Sequence, residues 1–220
     1  MSFIDAILDR LVEPPERTAI AHGAGEERRL ISARALRLQV ERARSVLRAL
    51  GLRIGDRVAL MAPNSPEWVA CDLAVLAEGG VLVPFDPRQA QQDVADLVRD
   101  ASPMIFVSPT ASEDLGSASL DLIRVPLADL FGGPTSAHRD SRTVPPDALA
   151  TLLYTSGSSA RPKGAMLTRE NVSYMLAQTE DRLAELSTLS FGAERALHYL
   201  PLCYAGSRII LMSCLLRGAR

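Results

Sequence analysis

The chain has 220 residues, 47% of them hydrophobic, and a formal net charge of −2 at pH 7. That length bounds the answer at one or two domains, with roughly 70% of the unfolded surface buried on folding. The near-neutral balance leaves no electrostatic footprint for nucleic acid, and no stretch reaches the roughly 18 uncharged apolar residues of a membrane span. Along the chain, Ser2 is placed to cap a helix through residue 11. Residues 18–22 and 28–31 read as a hairpin around Gly23-Ala24-Gly25. Ser32 is an N-cap for a helix to residue 49, ended by Gly51. Its Leu36, Val40, Ala43, Val46, Leu47 and Leu50 fall on one face. Strands at 58–61, 81–85 and 104–107 then alternate with helices at 66–77 and 89–100. Repeated strand–helix–strand units predict an α/β fold, a parallel-type sheet layered with helices on both faces. Residues 109–147, with five prolines and Gly132-Gly133, are expected to form an irregular surface connection holding one short strand near 122–125. Residues 148–154 read as a buried strand, and 170–186 as a helix. His198 is placed in a further strand, and the apolar segment 208–216 reads as a core helix with Gly218 past its end.

Cys71, Cys203 and Cys214 are an odd set without CxxC or metal spacing, and read as reduced core thiols. His22, His138 and His198 are scattered and compose no metal site by spacing. No apolar run follows a basic start, so no signal peptide is expected and a cytoplasmic location is.

The densest chemistry lies in Tyr154-Thr155-Ser156-Gly157-Ser158-Ser159-Ala160-Arg161-Pro162-Lys163-Gly164. Lys163 is the only lysine; the other 23 of the 24 basic residues are arginine. A lysine is a compact point charge suited to phosphate, and arginine does not replace it one for one. A buried strand running into a small-residue loop exposes consecutive backbone N–H groups, a concavity that binds anions. Ser156, Ser158 and Ser159 add hydroxyls. The segment does not match the P-loop G-x-x-x-x-G-K-[ST]: Lys163 follows Pro162 and precedes Gly164. By composition alone it equally suits a plain surface loop between two elements.

The order of residues resembles the phosphate-binding signature T-S-G-[ST]-T-G-x-P-K-G of the acyl-adenylate-forming (AMP-binding) superfamily. That superfamily holds acyl-CoA synthetases, peptide-synthetase adenylation domains and luciferases. Thr155, Ser156, Gly157, Ser158, Pro162, Lys163 and Gly164 match; Ser159 stands for Thr and Ala160 for Gly. The Ala160 Cβ would cost about 1 kcal/mol or more if the loop required φ > 0 there. Flanking blocks resemble acyl-CoA synthetases too: Arg57 through Trp68, Gly79 through Pro87, Gly164 through Val172, and Leu200-Pro201-Leu202-Cys203-Tyr204-Ala205-Gly206-Ser207-Arg208. Arg169 and Tyr204 stand where His is common. The family's ribose-binding aspartate, hinge and C-terminal lid lysine have no match in these 220 residues, which look like the N-terminal portion of a larger domain.

The resemblance implies ATP-dependent activation of a carboxylic acid, a fatty acyl group by the Leu-Pro-Leu block. Transfer to a thiol would follow, either coenzyme A or the phosphopantetheine of an acyl carrier protein. Backbone amides around Gly157, Ser158, Ser159 and Ala160, with Thr155 and Ser156, would hold the phosphates. Lys163 and Mg2+ would offset their charge, and Tyr204 would border the acyl channel. Arg161 reads as a solvated charge that could touch phosphate, and Glu67 and Trp68 as folding residues. Aryl or amino acids, or a truncated non-catalytic relative that binds a nucleotide or partner, are the alternatives.

Overall fold

The computed structural model describes residues 2–12, 14–110, 122–135, 140–155, 163–186 and 194–219. Polar caps start the helices where the sequence places them. Ser2 Oγ accepts from the Asp5 amide while the Asp5 carboxylate takes the Ser2 amide, a capping box on α1 (Phe3–Arg10). Ser32 caps α2 (Ala33–Ala49), and Ser65 caps α3 (Pro66–Ala77). Pro66 sits in the first turn of α3, where its missing N–H leaves no hydrogen bond unmade.

β1 (Thr18–His22) and β2 (Arg29–Ser32) form a separate antiparallel ribbon. The main sheet is built from β3 (Arg57–Met61), β4 (Val81–Phe85), β5 (Ile105–Ser108), β6 (Ile123–Pro126), β7 (Leu149–Thr155) and β8 (Lys163–Thr168). Their spatial order is β6-β5-β3-β4-β7-β8, and every pairing is parallel except β7 with β8. The remaining helices are α4 (Gln91–Ala101), α5 (Arg169–Leu186) and α6 (Ala205–Leu216).

Alternation along the strands divides the core in two. Val58 and Leu60 of β3 join Leu82, Ile105 and Val107 beneath α1, α2, α3, α5 and α6. Ala59 and Met61 join Val83, Phe85 and Phe106 beneath α4. Helices therefore cover both faces, and the central strands read as continuous apolar runs because neither face is wet. α3 is buried almost all round, its Trp68 only 1% exposed. Glu67 on its first turn meets Arg29 at 2.7 Å. Both residues thus serve the packing of this layer.

Three features refine the sequence reading. The 109–147 connection is less irregular than its prolines suggest. Within it β6 extends the sheet beside β5, and a 3-10 turn, Leu127–Phe131, buries Leu130. Its far end is fastened from below: Glu78, fully buried, receives Arg44 at 2.8 Å, Arg48 at 2.6 Å and Arg142 at 2.9 Å. Burial works against the Glu78 charge, yet Arg48 and Arg44 hold its carboxyl below the usual range. Arg44 also donates to the Asp140 carbonyl at 2.6 Å. Second, the strand expected at His198 does not form. Residues 194–199 have no regular structure, and no strand among the described residues pairs with them. Third, β8 was not foreseen; its Gly-Ala-rich sequence carries no clear period, and it pairs as the return arm of a hairpin. Among the described residues no helix is long and apolar enough to cross a membrane.

Candidate functional site

β7 and β8 are the two arms of the hairpin that carries the Ser/Gly segment. Thr155 pairs with Lys163, and Tyr154 with Gly164. Residues 156–162 join the two arms in sequence. Ser156, Gly157, Ser158, Ser159, Ala160, Arg161 and Pro162 lie outside the described residues. Because β7 runs parallel to β4 through the Thr151–Leu82 pair, β7 ends, and β8 begins, at the carboxyl edge of the sheet. Ligands of open α/β sheets bind at that edge. Lys163 opens β8, is exposed, and makes no ion pair among the described residues.

At Gly164 a side chain would have to push the Leu152 methyl aside. A Cβ there would stand 2.8 Å from Leu152 Cδ1 and 3.5 Å from Tyr154 Cε1. Glycine thus lets the arms close directly beneath the turn. Gly164→Ala is expected to cost about 1–3 kcal/mol by overpacking this stem, read as a lowered thermal midpoint. Tyr154 anchors the β7 end on the same face: its hydroxyl donates to Asp100 at 2.5 Å, and its ring lies 6.0 Å from that of Phe85. Burial first, and Asp100 second, push the Tyr154 phenol well above its ordinary pKa.

A second group gathers on the same edge. Asn64, just after β3, donates to the Leu200 carbonyl at 2.8 Å and accepts from the Leu202 amide at 2.9 Å. That clamp ties the Leu-Pro-Leu segment to the sheet. Tyr204 follows it at the start of α6, 51% exposed. Its hydroxyl donates to Asp86 at 3.3 Å and receives Arg88 at 3.4 Å. Asp86 and Arg88 follow β4 and pair at 2.6 and 2.9 Å. The hydrogen bond from Arg88 is the main cause that holds the Asp86 carboxyl down at about 2. Asp86 therefore stays ionised until pH falls through about 2. Arg88→Ala is expected to return it toward its ordinary 3.8, followed by carboxyl NMR during an acid titration.

A buried network couples these groups. Arg208 on α6 holds both oxygens of Asp72 on α3, at 3.0 and 2.7 Å, and donates to Thr151 Oγ1 at 2.8 Å. Thr151 in turn donates to the Leu82 carbonyl at 2.7 Å. One guanidinium thus links the helix that starts at Tyr204 to the strand that ends at the Ser/Gly turn. The structure brings Tyr204 against Asp86 and Arg88 at the carboxyl end of β4, without a described contact between Tyr204 and Lys163. Asn64, Asp72, Asp86 and Arg88 escaped the sequence reading. Asp72 carried the clearest signal, a lone carboxylate in the apolar Trp68–Ala77 run.

Among the described residues no group of His, Cys, Asp and Glu is placed to hold a metal. The cysteines are free thiols; burial, then Asp86, pushes Cys203 up to about 11, which leaves it protonated at neutral pH.

Comparison with known proteins adds the wider context. The sequence profile described as "AMP-binding enzyme" matches residues 9–220. A feruloyl-CoA synthase of Amycolatopsis sp is 31% identical over 217 residues, 93% of this chain and 43% of the relative. The long-chain-fatty-acid–CoA ligase FadD15 of Mycobacterium bovis is 30% identical over 194 residues, 80% of this chain and 32% of the relative. Among solved structures, ATP-bound MatB from Rhodopseudomonas palustris superposes with a TM-score of 0.80 at 25% identity, covering 100% of this chain and 44% of that one. The chain spans less than half the length of these relatives.

Proposed function

Because the chain belongs to the AMP-binding enzyme family, we propose that the protein carrying it activates a carboxylic acid with ATP and transfers the acyl group to a thiol. The carrying observation is the β7–β8 hairpin. Its arms, Thr155 at the end of β7 and the sole lysine, Lys163, at the start of β8, meet at the carboxyl edge of the parallel strands, and the sequence between them is rich in hydroxyls and glycine.

A carboxylate oxygen attacks the α-phosphorus of ATP, the α–β bridging bond breaks, and pyrophosphate leaves with the bonding electrons. Charge builds on that leaving group, so fixed donors and cations around it speed the step. Backbone amides at residues 157–160 and the hydroxyls of Thr155, Ser156, Ser158 and Ser159 hold the β- and γ-phosphates. The ammonium of Lys163, with no competing carboxylate among the described residues, neutralises them. Mg2+, when bound with the nucleotide, supplies further charge neutralisation. A thiolate, from coenzyme A or a carrier-protein pantetheine, then attacks the acyl carbonyl and AMP leaves.

The acyl group is a fatty acid in this reading, supported by the Leu200-Pro201-Leu202…Arg208 block and the FadD15 likeness. Tyr204 stands at the acyl side. The test is carboxylate-dependent ATP–pyrophosphate exchange by the protein carrying the chain, over fatty, aryl and amino acids. Fastest exchange with a fatty acid is expected. Preference for ferulate or an amino acid would replace the acyl class and leave the chemistry standing. Nucleotide binding without exchange for any acid would overturn the catalytic reading.

A further inference from the structure

A sizeable cavity lies away from the β7–β8 hairpin. It measures about 620 Å³ and lies between the β1–β2 ribbon, residues 195–198 and the outer side of α6. No residue of β7 or β8 lines it. Its size falls within the roughly 300–1,000 Å³ typical of small-molecule sites.

The lining has a consistent chemistry. Ile20, Val69, Leu202, Leu211 and Leu215 supply apolar walls. Leu211 and Leu215 are four apart on α6, so one face of that helix floors the cavity. Its charged lining residues are Arg28 and Arg195; there is no Asp or Glu among them. Both arginines are exposed, and neither makes an ion pair among the described residues. Glu194, beside Arg195, is engaged by Arg217, and Glu26 and Glu27, beside Arg28, do not line the cavity. A guanidinium left without a carboxylate beside an apolar chamber suits an anionic head on an apolar body, because its planar fork matches carboxylate and phosphate alike.

We propose that this cavity binds a single anionic amphiphile, with its head between Arg28 and Arg195 and its chain against Leu211 and Leu215. The site does not rest on the adenylation reading, and its test needs no nucleotide.

The test is calorimetric titration of the 220-residue chain, below micellar concentrations, with decanoate, decyl phosphate and decyltrimethylammonium. Saturable one-to-one binding of an anion is expected, at least about tenfold tighter than the cation; which anion binds better assigns the head group. The double variant Arg28→Glu/Arg195→Glu places its changes on exposed side chains that support no described pair, so it folds. It should weaken anion binding at least about tenfold, because two attractions are lost and two repulsions gained. Leu211→Trp should block the chamber and abolish binding; if that packing variant misfolds, the charge variant decides the test by itself. Absence of saturable binding, equal affinity for anion and cation, or indifference to charge reversal would overturn the proposal.

Discussion

Replacing Lys163 by alanine in the protein carrying this chain is expected to lower carboxylate-dependent ATP–pyrophosphate exchange by roughly 100-fold, the scale for losing one preorganised donor to developing charge. The reasoning starts from the fold. Lys163 is the first residue of β8, directly across from Thr155, so the hairpin fixes its backbone at the foot of the turn. Its side chain is exposed and engages no carboxylate among the described residues, so its removal leaves no buried charge and no broken pair. Stability should hold while turnover falls. Lys163→Arg should recover only part of the loss, since a planar fork does not occupy the place of a compact ammonium. Exchange unchanged in Lys163→Ala would remove this residue from the mechanism.

Arg208→Met is expected to give the largest stability loss, about 3–5 kcal/mol, the range for breaking a buried ion pair from one side. Asp72 would be left with 1% of its side chain exposed and its guanidinium partner gone. The double variant Arg208→Met/Asp72→Leu should regain at least half of that loss, because the orphaned charge is what destabilises. Urea unfolding of the two variants measures both. A single variant that loses under about 1 kcal/mol would show that Arg208 and Asp72 are not the tie described above.

Local rules made most of the fold legible. Ser2 and Ser32 mark helix starts because capping involves residues three apart. The helix at 66–77 and the strand at 81–85 end where the sequence suggests, because proline and glycine punctuate them. What escaped was specified across the chain. β8 is defined by its antiparallel partner rather than by a period of its own. Asp72 and Arg208 are separated by 136 residues, as are Asn64 and Leu200. In sequence Asn64 reads as a turn residue between prolines; only the fold shows that it holds the Leu-Pro-Leu segment. The expectation of a strand at His198 came from an apolar pattern, but a strand also needs a neighbour. Here the His198 ring meets Ser207 at 2.7 Å instead.

The central claim is that the β7–β8 hairpin grips the phosphates of a nucleotide. Backbone amide NMR of the 220-residue chain during titration with ATP tests it most directly. The account predicts shifts that grow with ATP and concentrate at residues 155–164, with little change around the Arg28–Arg195 cavity. Shifts confined to other parts of the chain, or none at millimolar ATP, would contradict it.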